Sequence, residues 1–208
     1  MNGISTGAYE AERDEWGAAV ARARGEGFEC VELCAILPPL VETLAAYLRD
    51  GTLDGFARVS LHAPVGIAST ETAVDALVGL PLGGDVILHP DVYGRDDAAA
   101  RLGGRAVFEN MDVNKPFGKS AADLRAVFDR FPDAGFCLDV AHVWTNDRSL
   151  ALGHELLDAF GDRLRQLHVS GIEPDGTHRE TTAADLELYR PLLQRAAQVP
   201  HVYEAVVV

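Results

Sequence analysis

The chain is poor in cysteine and in basic residues, and it has no long apolar run. Three cysteines in 208 residues are too few for a disulfide scaffold, and Cys30 and Cys34 are not a Cys-x-x-Cys pair, so we expect a reducing, cytoplasmic location. No stretch approaches the roughly 20 apolar residues of a membrane span. The first residues also lack the basic segment and apolar run of a signal peptide. We therefore expect no membrane partner.

Basic residues are outnumbered by acidic ones, 18 to 32, which gives a net charge of −14. This charge disfavours broad attraction to nucleic acid or to an anionic membrane, although metal-mediated phosphate binding stays open. With 48% hydrophobic and 24% charged residues, the composition is that of an ordinary globular protein. The length predicts one domain over residues 1–208, with a substantial core.

Short apolar runs alternate with amphipathic segments along the chain, a pattern typical of parallel strands joined by crossover helices. Eight such runs predict a closed (β/α)8 TIM barrel. No GxGxxG motif follows the first strand, and an open sheet would not bring ligands from five strands to one mouth. The predicted strands cover residues 4–6, 28–33, 59–63, 86–90, 106–110, 136–138, 165–169 and 202–208, and the main predicted helices cover 9–24, 38–48, 69–80, 149–164 and 185–197.

The sequence stops inside the predicted eighth strand, so a short barrel that lacks the last helix is expected. Val206 and Val207 would then lie on an outer strand face with no helix over it. Soluble monomers seldom expose such a face, and we expect either a shifted first helix or a homodimer to cover it.

Several of the predicted strands end in a residue that can bind a metal ion. Taken singly, such a residue is as well explained as a helix cap or a core histidine. Core histidines, however, have no reason to choose the same end of successive strands. Imidazole and carboxylate ligands together suit zinc, manganese or iron. The candidate ligands are His62, His89, Glu109, Asp139, His168 and Glu204, with His142 and His178 in the loops that follow.

We predict one to three divalent ions per chain, zinc first, with manganese, magnesium or iron as alternatives. The best-defined ion would be held by Glu109, Asp139, His168 and Glu204. His62 and His89 would hold a second ion bridged by Glu109, and His142 with His178 a third. Cys137, two residues before Asp139, is expected one layer deeper in the barrel.

Several segments resemble the xylose isomerase-like TIM-barrel superfamily, and within it endonuclease IV and the sugar isomerases and epimerases. The most specific match is Cys137-Leu138-Asp139-Val140-Ala141-His142, and the others are His62-Ala63-Pro64, His89-Pro90, Glu109-Asn110, His168 and Glu204. The resemblance implies the same division of ligands among the ions, with Glu109 as the bridge. Glu32, Asn110 and Arg179 are predicted to contact substrate.

The sequence also departs from the endonuclease pattern. Gly176 stands where an aspartate is expected two residues before His178, and the segment at Arg179 lacks the usual Gly-Glu-Gly. The chain is shorter than the endonucleases and has no long basic and aromatic loops, which argues against a DNA substrate.

Two functions remain open. The first is hydrolysis of a phosphoester at a multinuclear metal site, which the histidines of the second ion favour. The alternative is a one-metal sugar isomerase or epimerase, in which Glu109 and Glu204 move a proton from opposite faces. A barrel that binds metal or sugar without catalysis is the third reading.

Overall fold

The structure, a computed structural model, describes residues 1–12 and 15–208. Eight parallel strands form a closed barrel in the order β1-β10-β7-β6-β5-β4-β3-β2, and β8 and β9 pair as a small antiparallel hairpin. This confirms the predicted TIM-barrel fold. The strands are β1 (Asn2–Ser5), β2 (Cys30–Cys34), β3 (Arg58–His62), β4 (Asp85–Leu88), β5 (Ala106–Glu109), β6 (Gly135–Asp139), β7 (Leu164–Val169), β8 (Gly171–Ile172), β9 (His178–Arg179) and β10 (His201–Tyr203).

Helices alternate with the barrel strands and cover the outside of the barrel. None of the helices in the described ranges is both long and apolar enough to span a membrane. They are α1 (Trp16–Gly25), α2 (Pro38–Asp50), α3 (Thr70–Val78), α4 (Pro90–Tyr93), α5 (Ala121–Arg130), α6 (Val140–Asn146), α7 (Ala151–Phe160) and α8 (Ala183–Arg195), with 3-10 turns at Thr6–Ala8, Glu10–Glu12, Ala98–Arg105 and Gly161–Arg163.

Alternate residues of each strand face opposite sides of the barrel wall, as the two-residue period of a strand requires. Outward side chains such as Leu61, Phe108 and Leu138 join the core between sheet and helices. The inward cluster of Ile87, Val107 and Cys137 is separate and much smaller. The inward residue two positions after each of these belongs to the predicted ligand set, so on these three strands a ligand lies above an apolar residue.

Two of the predicted helices differ from the structure by more than two residues at one end. Instead of one helix over residues 9–24, two 3-10 turns precede α1 at Trp16, and Arg13 and Asp14, inside the predicted helix, lie outside the described residues. The helix predicted over 149–164 covers only Ala151–Phe160, because Leu150 adopts a left-handed conformation with φ 62° before it. A separate helix, α6, begins directly after Asp139.

The prediction of an eighth strand over residues 202–208 is wrong in extent, because β10 ends at Tyr203. The following residues turn towards Thr181, whose N–H donates to the Val206 carbonyl and whose carbonyl accepts from the Val208 N–H, both at 2.9 Å. Val206 and Val207 are 36% and 43% exposed, but they do not belong to the barrel wall. Val206 and Val207 therefore give no reason to expect a dimer that covers an outer strand face.

The segment predicted as a loop after β7 contains the β8–β9 hairpin, whose turn uses Gly176 at φ +87°. Helix α8 begins directly after it with a capping box. The Thr182 hydroxyl accepts from the Asp185 N–H at 3.3 Å, and the Asp185 carboxylate accepts from the Thr182 N–H at 2.9 Å. This cap fixes the direction in which the chain leaves the hairpin.

We expect Thr182→Ala to lower the free energy of unfolding by about 1 kcal/mol, because the first turn of α8 loses its side-chain acceptor. Urea denaturation followed by circular dichroism measures this loss. Thr182→Ser keeps the hydroxyl and should stay close to the parent. Equal stability of the alanine variant and the parent would contradict the role of the cap.

Candidate metal centre

The predicted ligands converge at the carboxyl end of the barrel. Glu109 and Asp139 are the last residues of β5 and β6, and His62 is the last residue of β3. His168 lies one residue before the end of β7, and Glu204 directly follows β10. Parallel strands in a closed barrel bring these ends to one mouth. Most of the ligand set is buried there. His89 and Glu204 are partly exposed, and His178 is exposed.

The first group of ligands, the His-rich group, consists of His62, His89 and Glu109. One ligand atom of each lies within 4.8 Å of the others. The Nε2 atoms of His62 and His89 lie 3.7 and 3.6 Å from Oε2 of Glu109. The Nδ1–H of His62 donates to the Ala63 carbonyl at 2.9 Å, which leaves Nε2 as the nitrogen with a free lone pair.

The second group, the acidic group, consists of Glu109, Asp139, His168 and Glu204, whose ligand atoms also lie within 4.8 Å of one another. Nδ1 of His168 lies 2.9 Å from Oε1 of Glu109 and 3.2 Å from Oε1 of Glu204. The two groups share Glu109 alone. Its Oε1 faces the acidic group and its Oε2 faces the His-rich group.

Both groups fit divalent cations. Oε2 of Glu109, Oδ2 of Asp139 and Oε2 of Glu204 are buried and accept no hydrogen bond from the described residues. A buried carboxylate oxygen without a partner is costly. A cation in the His-rich group would satisfy the Glu109 oxygen, and a cation in the acidic group would satisfy those of Asp139 and Glu204. The mixture of imidazole and carboxylate suits zinc, manganese or iron.

His142 and His178 meet beside these groups, with their Nε2 atoms 3.3 Å apart. The Nδ1–H of His142 donates to the Asn110 carbonyl at 2.9 Å, so its Nε2 carries the lone pair. Ser170 Oγ lies 2.9 Å from Nδ1 of His178. Within the described residues, this pair has no third ligand at the spacing found in the other groups.

Glu32 lies below the acidic group and not in the cavity, where a substrate contact would require it. It is completely buried, and its Oε2 lies 2.9 Å from Nε2 of His168. The same oxygen accepts hydrogen bonds from Gln166 Nε2 at 2.7 Å and from Ser60 Oγ at 3.3 Å. Because a carboxylate only accepts, it favours the His168 tautomer with Nε2–H, which leaves Nδ1 for an ion.

Asn110 is also occupied by the protein itself. Its side-chain oxygen accepts from the Asp139 N–H at 2.8 Å, and its amide nitrogen donates to the Asp139 carbonyl at 3.0 Å. This double hydrogen bond fixes the backbone of Asp139 against the end of β5. The Asp139 carboxylate in turn accepts from the His142 N–H at 2.7 Å and begins α6. The structure thus gives Asn110 a positioning contact where we predicted a substrate contact.

Arg179 was predicted to bind substrate, and it lines the cavity above the ligands. Its guanidinium is paired, however, through two nitrogens with Asp185, at 2.7 and 2.9 Å, and through Nε with Glu173 at 3.1 Å. Two carboxylates therefore already neutralise this cation. Its main contact is with the start of α8.

Burial and mutual charge set the protonation of the acidic group. Burial raises the pKa of Glu204 well above its usual value, and the charges of Glu109 and Asp139 add to this. Burial also acts on Glu109, but the neighbouring His168 holds the pKa of Glu109 well below its usual value. Burial lowers the pKa of His89, so its imidazole is neutral and able to bind a metal.

A cavity of about 790 Å3 opens over the ligands on the side of β1, β2 and β10. His62, His178 and Glu204 reach it from the ligand set, together with Ser5, Thr6 and Cys34. Glu109 and Asp139 do not reach its wall. A substrate in this cavity would therefore contact Glu204 directly.

The fold resembles those of known TIM barrels. A xylose isomerase-like TIM barrel protein from Mycobacterium smegmatis, in complex with magnesium, superimposes with a TM-score of 0.55 and 13% identity over 94% of this chain and 83% of that chain. Yersinia pestis dihydropteroate synthase superimposes with a TM-score of 0.54 and 10% identity, over 97% of this chain and 84% of that chain. No family profile and no curated protein matches. These similarities establish the barrel fold alone.

Three buried residues next to the ligands were not predicted to take part: Ser60, Gln166 and the sulfur of Cys137. A period-two reading of β7 identifies Gln166, because it precedes His168 by two and shares its inward face. The same reading of β3 places Ser60 two residues before His62. Their joint contact with Glu32 depends on barrel closure, and nothing in the local sequence specifies it.

We expect Asp139→Ala and His168→Ala each to lose the ion of the acidic group, because each removes a direct ligand. Metal content after dialysis, measured by mass spectrometry, tests this. His154→Ala and His201→Ala are matched controls: His154 lies in α7 and His201 begins β10 at the opposite end of the barrel. A full metal complement in Asp139→Ala would disprove the acidic group as a site.

We expect Glu32→Gln to weaken metal binding at the acidic group by roughly 10- to 100-fold, since His168 loses the negative partner of its second nitrogen. Binding to the His-rich group should be unchanged, because neither of its histidines bonds to Glu32. Titration calorimetry resolves the two affinities. Ser60→Ala, which removes only the 3.3 Å hydrogen bond, should have a smaller effect. An equal loss at both groups would contradict this role.

Proposed function

We propose that this protein is a divalent-metal-dependent hydrolase that cleaves a phosphoester at a two-ion centre. One observation carries the proposal: the two carboxylate oxygens of Glu109 face two different groups of ligands. A one-ion enzyme has no need for His62 and His89 on the far side of Glu109. The pattern of a shared carboxylate between two sets of ligands is that of two-metal hydrolytic sites.

His62, His89 and Glu109 would hold one ion, and Glu109, Asp139, His168 and Glu204 the other. Zinc is our first choice, because imidazole and carboxylate ligands suit it, and manganese, magnesium or iron are alternatives. When bound, such ions polarise phosphoryl oxygens and activate water. His142 and His178 would add a third ion only with a ligand from outside the pair.

The residues of the cavity wall suggest how a phosphoester is handled. Arg22 and Arg179 are both cavity residues, but Arg22 pairs with Glu12 and Glu26 and Arg179 pairs with its own carboxylates. The phosphate charge must therefore be balanced at the ligand groups. Glu204 belongs to the acidic group and also reaches the cavity, so a phosphoester there would lie beside the ion that this group would hold.

A sugar isomerase or epimerase is the second candidate, and one observation favours it. The pKa of Glu204 is raised and that of Glu109 is lowered, so one carboxylate can donate a proton while the other accepts one. Against it, Glu109 is 1% exposed and does not reach the cavity wall. A substrate carbon in the cavity would meet Glu204 but not Glu109.

The other expectations about partners are also proposals. The net charge of −14 and the paired arginines of the cavity argue for a small phosphoester or phosphosugar and against DNA. The cysteines are all unpaired, as in a reducing cytoplasm. A homodimer remains a proposal for light scattering to test, without support from Val206 and Val207.

We expect two ions per chain in the purified protein and hydrolysis of bis(p-nitrophenyl) phosphate in its presence. His89→Ala should lose one ion and at least about 100-fold in rate, because a lost charge-stabilising ion costs several kcal/mol in the transition state. The second ion should remain. His201→Ala is the control for the loss of a histidine away from the centre.

The alternative predicts a different result. One ion per chain, no release of nitrophenol, and exchange of a sugar C–H with deuterium from the solvent would replace hydrolysis by isomerisation or epimerisation. Full sugar activity in His89→Ala would further show that the His-rich group has no catalytic part.

A further inference from the structure

Cys137 lies directly beneath the ligands. It precedes Asp139 by two on β6, faces the same side, and pairs in register with Glu109 of β5. Its side chain is completely buried. The sulfur, a Glu109 oxygen and a His168 nitrogen lie within 4.8 Å of one another, the same spacing that defines the His-rich and acidic groups. We call these three residues the sulfur group.

The surroundings of Cys137 differ above and below. On its apolar side, Ile87 and Val107 form a small cluster with the cysteine. Above it lie Glu109 and His168, and Glu109 keeps one buried oxygen that lacks a hydrogen-bond partner. Cys30 and Cys34 belong to no comparable group in the part of the chain that the structure describes. The sulfur is thus at the floor of the centre, at the boundary between apolar and ionisable layers.

We propose that Glu109, Cys137 and His168 form a second, deeper coordination position that takes thiophilic cations such as Cd2+. The position is an alternative to the acidic group, because both use Glu109 and His168. The ligand types support the assignment: a thiolate selects soft ions, whereas carboxylates and water suit magnesium and manganese. A soft ion would occupy the lower position and a hard ion the upper one.

Ligation of the sulfur requires a proton to leave. A cysteine side chain ordinarily carries its proton near neutral pH. The S–H bond then breaks, a sulfur–metal bond forms, and the proton passes to buffer, with no change of oxidation state. The selectivity follows from the ligand type, because a thiolate prefers soft ions and hard ions prefer oxygen ligands.

Occupation of the lower position has a consequence for the centre. Neither Asp139 nor Glu204, which lies at the cavity wall, belongs to the sulfur group. An ion in the lower position is therefore one inward-facing residue further from the cavity. A thiophilic ion should displace the ion of the acidic group, because both positions use Glu109 and His168. His62 and His89 should keep their ability to bind an ion, since neither belongs to the sulfur group.

The test uses cadmium alone, with a chain whose only cysteine is Cys137, made by Cys30→Ala and Cys34→Ala. Cadmium titration of this chain should produce the thiolate-to-cadmium charge-transfer band in the near ultraviolet, and the further change Cys137→Ser should abolish it. Cadmium that displaces one bound manganese per chain, detected by the paramagnetic resonance of free Mn2+, would support the shared ligands.

Cadmium binding without a charge-transfer band in the Cys137-only chain would overturn the proposal, as would a band that persists in Cys137→Ser. Should Cys137→Ser fail to fold, cadmium NMR of the Cys137-only chain decides the question, because sulfur ligation moves the resonance downfield from the range of oxygen and nitrogen ligation. The readouts involve no catalysis. A protein that fails to hydrolyse phosphoesters would therefore still give these cadmium signals. A protein without the cadmium signals could still hydrolyse phosphoesters.

Discussion

The burial of carboxylates inside the barrel is the constraint on which the candidate centre depends. Glu32, Glu109 and Asp139 are each at most 1% exposed. Carboxylates removed from water to this extent are stable only with opposite charge or strong hydrogen bonds around them. His168 provides part of this compensation, with one nitrogen towards Glu32 and the other towards Glu109. Within the described residues, one buried oxygen each of Asp139 and Glu204 accepts no hydrogen bond and so is left uncompensated.

The ligands are held by backbone geometry more than by side-chain packing. The side chain of Asn110, the residue after β5, hydrogen-bonds to both the N–H and the carbonyl of Asp139, the last residue of β6. Asp139 then accepts from the first turn of α6, and His142 in that turn donates back to the carbonyl of Asn110. This closed circuit of hydrogen bonds joins neighbouring strand ends. It keeps the ligand positions independent of whatever occupies the cavity.

Much of the barrel and of the ligand set could be predicted from the sequence, because both follow from local periodicity. Strand ends at His62, Glu109, Asp139 and His168 follow from apolar runs that stop on an ionisable residue, and parallel pairing then brings them together. The contacts of Arg179 and Glu32 could not be predicted, since their partners Asp185 and His168 are chosen by tertiary structure. The extent of β10 was misjudged for a related reason: valines predict a strand, but Val206 and Val208 pair with Thr181 and not with the barrel.

The cavity wall and the ligand layer share only His62, His178 and Glu204. The ligands occupy the ends of β3 to β7 and the residue after β10, whereas most of the wall is formed by the turns after β1 and β2, by the β8–β9 hairpin and by residues 204–206. Loops tolerate insertion and substitution far better than strand ends clamped by backbone hydrogen bonds. Substrate preference in this barrel can therefore diverge by changes in a few surface turns while the reacting chemistry is inherited intact.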